Sequence, residues 1–335
     1  MSSGRTDLAG AFARLHPGRR VHGISAVLLP YTAEGRIDWD GFERHLIRTR
    51  QAGLDAAVNM DTGFVDLLTE AERMAVLDAT RRALGPGVPF FAGAFAGGSA
   101  DPLSAYHAAI AAVEAHGGVP VLVQCAAMHG LGPAEKAAFY ARILERAARA
   151  VAFELSPVFA PHGEIWDEET FARVIALPKL EGAKHSSLDR GTELARLALR
   201  DRLRPEFRIY TGNDLAIDLV AYGSDYLLGL STFAPMRFAE RDRALAEGSL
   251  DFLSRNDALQ HLGNVGFRTP VPAYKHAAAQ FLHLVGDLPS DGVHPRAPRR
   301  PGADRALLWD CARRLDLLDD PERTWRERVA PHLRA

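Results

Sequence analysis

Along the first 235 residues, short apolar runs alternate with longer stretches in which apolar positions recur every three or four residues. The runs cover 23–29, 56–60, 89–94, 120–125, 151–156, 180–184, 208–211 and 226–230. Their length and turn-rich flanks predict strands. The stretches between them, such as 39–52, 69–84 and 102–116, predict amphipathic helices. Several of these open on a capping signal: Asp38 before Trp39, Thr69 with Glu72 three residues on, and Asp101 before Pro102. Eight strand–helix units in series predict an α/β fold, a (β/α)8 TIM barrel rather than an antiparallel sheet. A doubly wound sheet would be expected to carry a glycine-rich phosphate turn after an early strand. The glycine-rich segment 93–98 does not spell the dinucleotide fingerprint.

Beyond residue 245 the strands stop. Segments 250–262, 271–285 and 303–318 predict three helices, with a proline- and arginine-rich loop over 293–302 read as a solvated connector. The expected organisation is an N-terminal arm over 1–19, a catalytic barrel over 20–245, and a helical extension over 246–335 packed on one side of it.

Composition narrows the function classes. A net charge of −2 over 335 residues gives no electrostatic case for nucleic acid or an anionic membrane. Cys125 and Cys311 match no metal-ligand spacing and no disulfide framework. No apolar run approaches the length of a membrane span. The opening residues lack the charged-then-apolar profile of a secretory signal, so a cytoplasmic setting is expected.

In such barrels the chemistry sits where strands run into their following loops. Read in order, those ends offer Pro30-Tyr31-Thr32, Asn59 to Gly63, Ala94-Phe95, Gln124-Cys125, Glu154 to Ser156, Lys184 to Ser186, Gly212-Asn213-Asp214 and Ser231-Thr232. Only the sixth carries a lysine. A lysine sealed among apolar neighbours is costly while charged, so burial lowers its pKa and leaves a nucleophilic amine near neutral pH. Such an amine condenses with a carbonyl to an imine that acts as an electron sink. The ends show neither a divalent-metal ligand set nor a Ser-His-Asp signature nor a phosphate-cradling loop, so neither metal nor cofactor is expected.

Five motifs in order resemble the dihydrodipicolinate synthase and N-acetylneuraminate lyase family of class I, Schiff-base-forming aldolases. They are Leu29-Pro30-Tyr31-Thr32 leading to Gly35-Arg36-Ile37-Asp38, Asp61-Thr62-Gly63 followed by Leu68-Thr69-Glu70-Ala71-Glu72-Arg73, Gly182-Ala183-Lys184-His185-Ser186-Ser187, Gly212-Asn213-Asp214, and 270–286 with Lys275 followed by Pro295-Arg296-Ala297-Pro298. The resemblance spans roughly 22–318. It implies that Lys184 is the Schiff-base residue, that Thr62 and Gly63 offer backbone N–H groups to a substrate anion, and that the chain assembles as a dimer or tetramer.

Two departures mark an outlying branch. The family's motif after the second strand opens on a threonine of a proton relay, and here that position is Asp61. The family places a shuttling tyrosine after the fourth strand, and here 124–130 contains none. Asp61 is either an acid/base replacing the lost hydroxyl or a turn residue capping the next segment. His129 is either the replacement proton carrier or a solvated loop histidine. Asn59, Gln124, Glu154 and Asn213 are candidates to line the mouth. An ionised Asp61 would repel a substrate carboxylate, so a substrate presenting a hydroxyl, amine or uncharged carbonyl is favoured, and pyruvate is expected to be poor. The leading expectation is a Schiff-base lyase acting on a small, 2-oxo-acid-like carbonyl compound. A Schiff-base hydro-lyase on a sugar-acid-like substrate and a non-catalytic small-molecule-binding barrel are the alternatives.

Overall fold

Each of the eight apolar runs forms a strand, and the strands close on themselves. The computed structural model describes residues 8–333; the first seven residues of the expected N-terminal arm lie outside them. The strands are β1 (Gly23–Ala26), β2 (Asp55–Val58), β3 (Phe90–Ala94), β4 (Gly118–Leu122), β5 (Ala150–Leu155), β6 (Leu180–Ser186), β7 (Arg208–Thr211) and β8 (Asp225–Leu228). All neighbours pair in parallel, and Gly23 beside Tyr226 and Ser25 beside Leu228 close the ring between β1 and β8.

A helix precedes the barrel, α1 (Leu8–Phe12). The outer layer is α2 (Trp39–Gln51), α3 (Glu70–Leu84), α4 (Pro102–Ala115), α5 (Pro133–Leu144), α6 (Glu168–Ile175), α7 (Arg190–Leu203) and α8 (Pro235–Ala246). The expected caps form: Asp38 accepts from the Gly41 N–H, Thr69 and Glu72 close a capping box, and Asp101 accepts from the Ser104 N–H. The seventh crossover departs from the pattern. Only thirteen residues separate β7 from β8, and their helical part is a 3₁₀ segment, Ile217–Tyr222.

Strand residues alternate between the barrel interior and the helical layer. Ile24, Ala57, Phe91, Val121, Phe153 and Tyr210 fill the interior. Outward residues join the helix faces.

The C-terminal segment holds α9 (Asp251–Gly266), α10 (Tyr274–Leu284) and α11 (Asp304–Arg314), then a short turn of helix, α12 (Pro321–Thr324). Two expectations about this segment change. It is no side appendage: α10 is buried over nearly its whole length, and Leu262, Phe281 and Leu308 share one apolar core with Val58, Phe64 and Phe233 of the barrel. Nor is 293–302 a solvated connector throughout: Pro295, Arg296, Pro298, Arg299 and Pro301 are exposed, but Val293, Ala297 and Arg300 are buried. Arg300 is buried there and its guanidinium donates to the carbonyls of Gly266, Thr269 and Pro270, which satisfies the end of α9 and the loop after it. Among the described residues, no helix is long and apolar enough to cross a membrane.

Candidate active site

β6 runs two residues past Lys184, so the lysine sits within the strand, beside Phe153 of β5 and Tyr210 of β7. Lys184 and Ser186 face the interior, while His185 faces out and pairs with Glu154. Room for the lysine stem depends on Gly212, since a Cβ there would lie 2.7 Å from Lys184 Cε. The amine faces a small, tightly packed pocket at the mouth of the barrel. Asp61, Lys184, Ser186, Asp214 and Tyr274 supply its polar side chains, and Phe153, Leu155 and Phe159 its apolar wall.

The chain has four lysines. Lys136 is paired with Glu164, Lys179 donates to the Leu144 and Glu145 carbonyls, and Lys275 is paired with Asp61. Lys184 is the exception among the described residues, with no hydrogen-bond acceptor for its amine, which lies 4.4 Å from the centre of the Phe153 ring. Burial brings it down from 10.5 to about 8, against the opposing pull of the Asp214 and Asp61 carboxylates. Asp214 is displaced the other way. Burial lifts its carboxyl to about 7, although the Leu230 N–H and the Lys184 charge favour ionisation. A base near 8 and an acid near 7 therefore share one pocket, each poised close to neutrality.

Asp61 opens a 3₁₀ turn, Asp61–Gly63, directly after β2, and lines the pocket. From sequence alone its negative charge stood unopposed, and the structure supplies the missing partner. Lys275, from α10, places Nζ 2.8 Å from one carboxylate oxygen, and the Tyr274 hydroxyl donates to the other at 2.8 Å. The repulsion argued against a substrate carboxylate thus loses its basis. Thr62 is buried with Oγ1 2.8 Å from the Tyr274 hydroxyl. The Gly63 N–H is engaged by the Met60 carbonyl at 2.9 Å, so it is not free to receive an anion.

The remaining candidates do not line the lysine's pocket. The Gln124 side chain ties the β4 end to the loop after β5, accepting from the Leu155 and Glu164 N–H groups and donating to the Glu164 carbonyl. Glu154 is held outside the barrel by His185 and Arg196. Asn213 donates to buried Glu193 and accepts from the Leu188 N–H. Asn59, at φ +50°, turns out to a separate cleft between α3 and α4 and donates to the Arg73 carbonyl. His129 is outside the pocket wall, its Nε2 2.6 Å from the His162 carbonyl oxygen. Asp214 and Tyr274 were not among the sequence candidates. Asp214 follows the inward alternation of β7, whereas no local signal links Tyr274 to β2, more than two hundred residues earlier.

A closed parallel barrel with a buried, unpaired lysine on its sixth strand resembles the dihydrodipicolinate synthase-like barrels, and comparison with known proteins agrees with that likeness. Curated relatives include the 4-hydroxy-tetrahydrodipicolinate synthase of Synechococcus sp. (strain WH7803), 28% identical over 296 residues, which are 86% of this chain and 92% of that relative. The chain belongs to the family described as "Protein of unknown function (DUF993)", whose model matches residues 21–334. Among solved structures it is similar to dihydrodipicolinate synthase from Thermotoga maritima, with TM-score 0.76 and 21% identity over 90% of this chain and 100% of that one. It is also similar to a prophage protein of the dihydrodipicolinic acid synthase family from E. coli K12, solved in complex with pyruvate, with TM-score 0.77 and 17% identity over 88% and 99% of the two chains. At these identities the solved structures establish the shared fold.

Proposed function

We propose that this protein is a Schiff-base-forming lyase of the aldolase type, acting on a small 2-oxo-acid-like carbonyl compound through Lys184. The observation that carries the reading is the lysine itself. It alone among four lacks an acceptor, it lines a pocket at the barrel mouth, and its amine is held near 8. At neutral pH a useful fraction of such an amine is uncharged and nucleophilic. It adds to the carbonyl carbon, and the resulting hydroxyl leaves as water with a proton from Asp214, whose carboxyl near 7 suits both giving and retaking it. The protonated imine then draws in the electron pair of the bond between its α and β carbons, leaving an enamine. A hydro-lyase shares every step up to the imine, and Asp214 is equally placed to protonate a departing hydroxyl. Assembly as a dimer or tetramer in the cytoplasm belongs to the same reading and rests on the family resemblance.

Borohydride reduction in the presence of pyruvate, 2-oxobutanoate, hydroxyacetone or dihydroxyacetone tests it. Mass increase on the peptide carrying Lys184, absent in Lys184→Ala, is the expected result. No labelling by any of the four compounds would leave a silent binding barrel instead. Analysis of products from hydroxylated 2-oxo acids then separates carbon–carbon cleavage from loss of water, and sedimentation velocity reads the assembly.

A further inference from the structure

We propose that Tyr274, carried into the barrel mouth by the C-terminal segment, is the proton-transfer residue of the Lys184 site, working with Asp61 as its acceptor. This rests on the imine reading above and adds the group that moves the substrate's proton. Tyr274 is the first residue of α10 and is 2% exposed. Its ring stacks on Phe267 at 4.4 Å and meets Phe159 edge-on at 6.2 Å, which fixes its direction. Gly229 opposite leaves space for it, since a Cβ there would lie 3.0 Å from Tyr274 Cε2.

The hydrogen bonding at the phenol oxygen gives it a direction as well. A phenol has one proton and two lone pairs. Its proton goes to Asp61 Oδ2 at 2.8 Å, and Thr62 Oγ1 at 2.8 Å donates to one lone pair. The second lone pair remains for a substrate hydroxyl in the pocket that Tyr274 shares with Lys184. Lys275 holds the other Asp61 oxygen and keeps the carboxylate aimed. Burial and the Asp61 charge keep the phenol protonated, so it works as a relay and not as a standing phenolate.

In the cleavage direction the substrate hydroxyl proton passes to the Tyr274 oxygen as the Tyr274 proton passes to Asp61 Oδ2. The carbon–carbon bond breaks, its electron pair moves onto the Lys184 iminium nitrogen as an enamine, and an aldehyde leaves. The proton returns from Asp61 through Tyr274 to the enamine carbon, and water hydrolyses the imine to free the product and the lysine. Every proton and electron pair is accounted for across these steps.

The test separates imine formation from proton transfer. The probe is whichever of pyruvate, 2-oxobutanoate, hydroxyacetone and dihydroxyacetone is trapped most fully on the wild type. Borohydride trapping measures the imine, and deuterium uptake from D₂O into the probe's C–H positions measures proton movement through the enamine. Compared at the plateau of each protein's pH profile, Tyr274→Phe and Asp61→Asn should each keep trapping within about twofold and slow exchange by about 10²–10⁴-fold, the range for a lost acid/base. Exchange within threefold of wild type in either folded variant would overturn the relay, and so would parallel loss of trapping and exchange in both, which marks a packing role. If Tyr274→Phe fails to fold, Asp61→Asn combined with Lys275→Met, which keeps every ring in place and leaves no buried charge unpaired, decides alone. If the wild type traps none of the four probes, the Lys184 reading itself has failed, before any variant is compared.

Discussion

Replacing Lys184 by methionine should make the protein more stable at neutral pH while abolishing its chemistry. Methionine keeps an unbranched stem of similar length and removes the charge. The amine titrates near 8 when folded against an ordinary 10.5, so holding it charged in the folded state costs about 3 kcal/mol. Below pH 8 folded and unfolded chains both carry the proton, and the penalty is complete and constant. Between 8 and 10.5 the unfolded chain keeps a proton that the folded chain has shed, so wild-type stability rises with pH, recovering about 2 kcal/mol by pH 9.5. The variant has no such rise. Asp214 limits the gain, because loss of the neighbouring charge pushes its carboxyl further up. Being already about half protonated at pH 7, it takes up the remainder for about 0.5 kcal/mol. Urea unfolding of both proteins at pH 7 and pH 9.5 is the assay. The expected result is a variant more stable by about 2–3 kcal/mol at pH 7, with most of the gap closed at pH 9.5. Equal stabilities at pH 7 with parallel pH profiles would mean that the amine is well solvated, and its nucleophilicity near neutral pH would lose its physical basis.

Gly212→Ala would put a Cβ 2.7 Å from Lys184 Cε, so a loss of about 1–3 kcal/mol in thermal or urea unfolding is expected, with imine trapping slowed at least about tenfold. Asp214→Asn removes a charge that holds the amine up, so the pH midpoint of trapping should move to the acid side of about 8; a midpoint that stays or moves up would contradict the geometry. Glu154→Gln leaves buried Arg196 without its ionic partner and should cost about 3–5 kcal/mol in urea unfolding, while the folded fraction still traps at Lys184.

Much of the barrel was legible because each strand is a compact apolar run and each of three helices opens on an explicit cap. Lys184 stood out because it is the one lysine among the eight strand ends. Asp61 does line the lysine's pocket, whereas Gln124, Glu154 and Asn213 fall off its wall for a specific reason: polar strand-end residues look equivalent until the direction of each is considered. With Val123 inward, Gln124 must face out; with Phe153 and Leu155 inward, so must Glu154; with Tyr210 inward, Asn213 faces out and Asp214 in. That two-residue period would have exchanged Asn213 for Asp214. It would not have caught Asn59, whose left-handed backbone resets the phase after β2. Tyr274 and Lys275 were beyond local reading of any kind. Their role depends on α10 entering the mouth of the barrel, a long-range packing event driven by apolar residues such as Phe281 and Phe267 that carry no address in the sequence.

That entry sets an order on the making of the protein. All eight strands leave the ribosome before α10 does, so a nearly complete barrel exists for a time with Asp61 lacking its counter-charge and with Phe64, Leu230 and Phe233 uncovered. The last quarter of the chain therefore does more than trim the surface. The docked α10 seals apolar surface, supplies the counter-charge of Asp61 and holds the phenol in the lysine's pocket. A nascent or truncated chain ending near residue 245 would hold the amine without that surrounding, so the finished pocket needs the segment that carries α10.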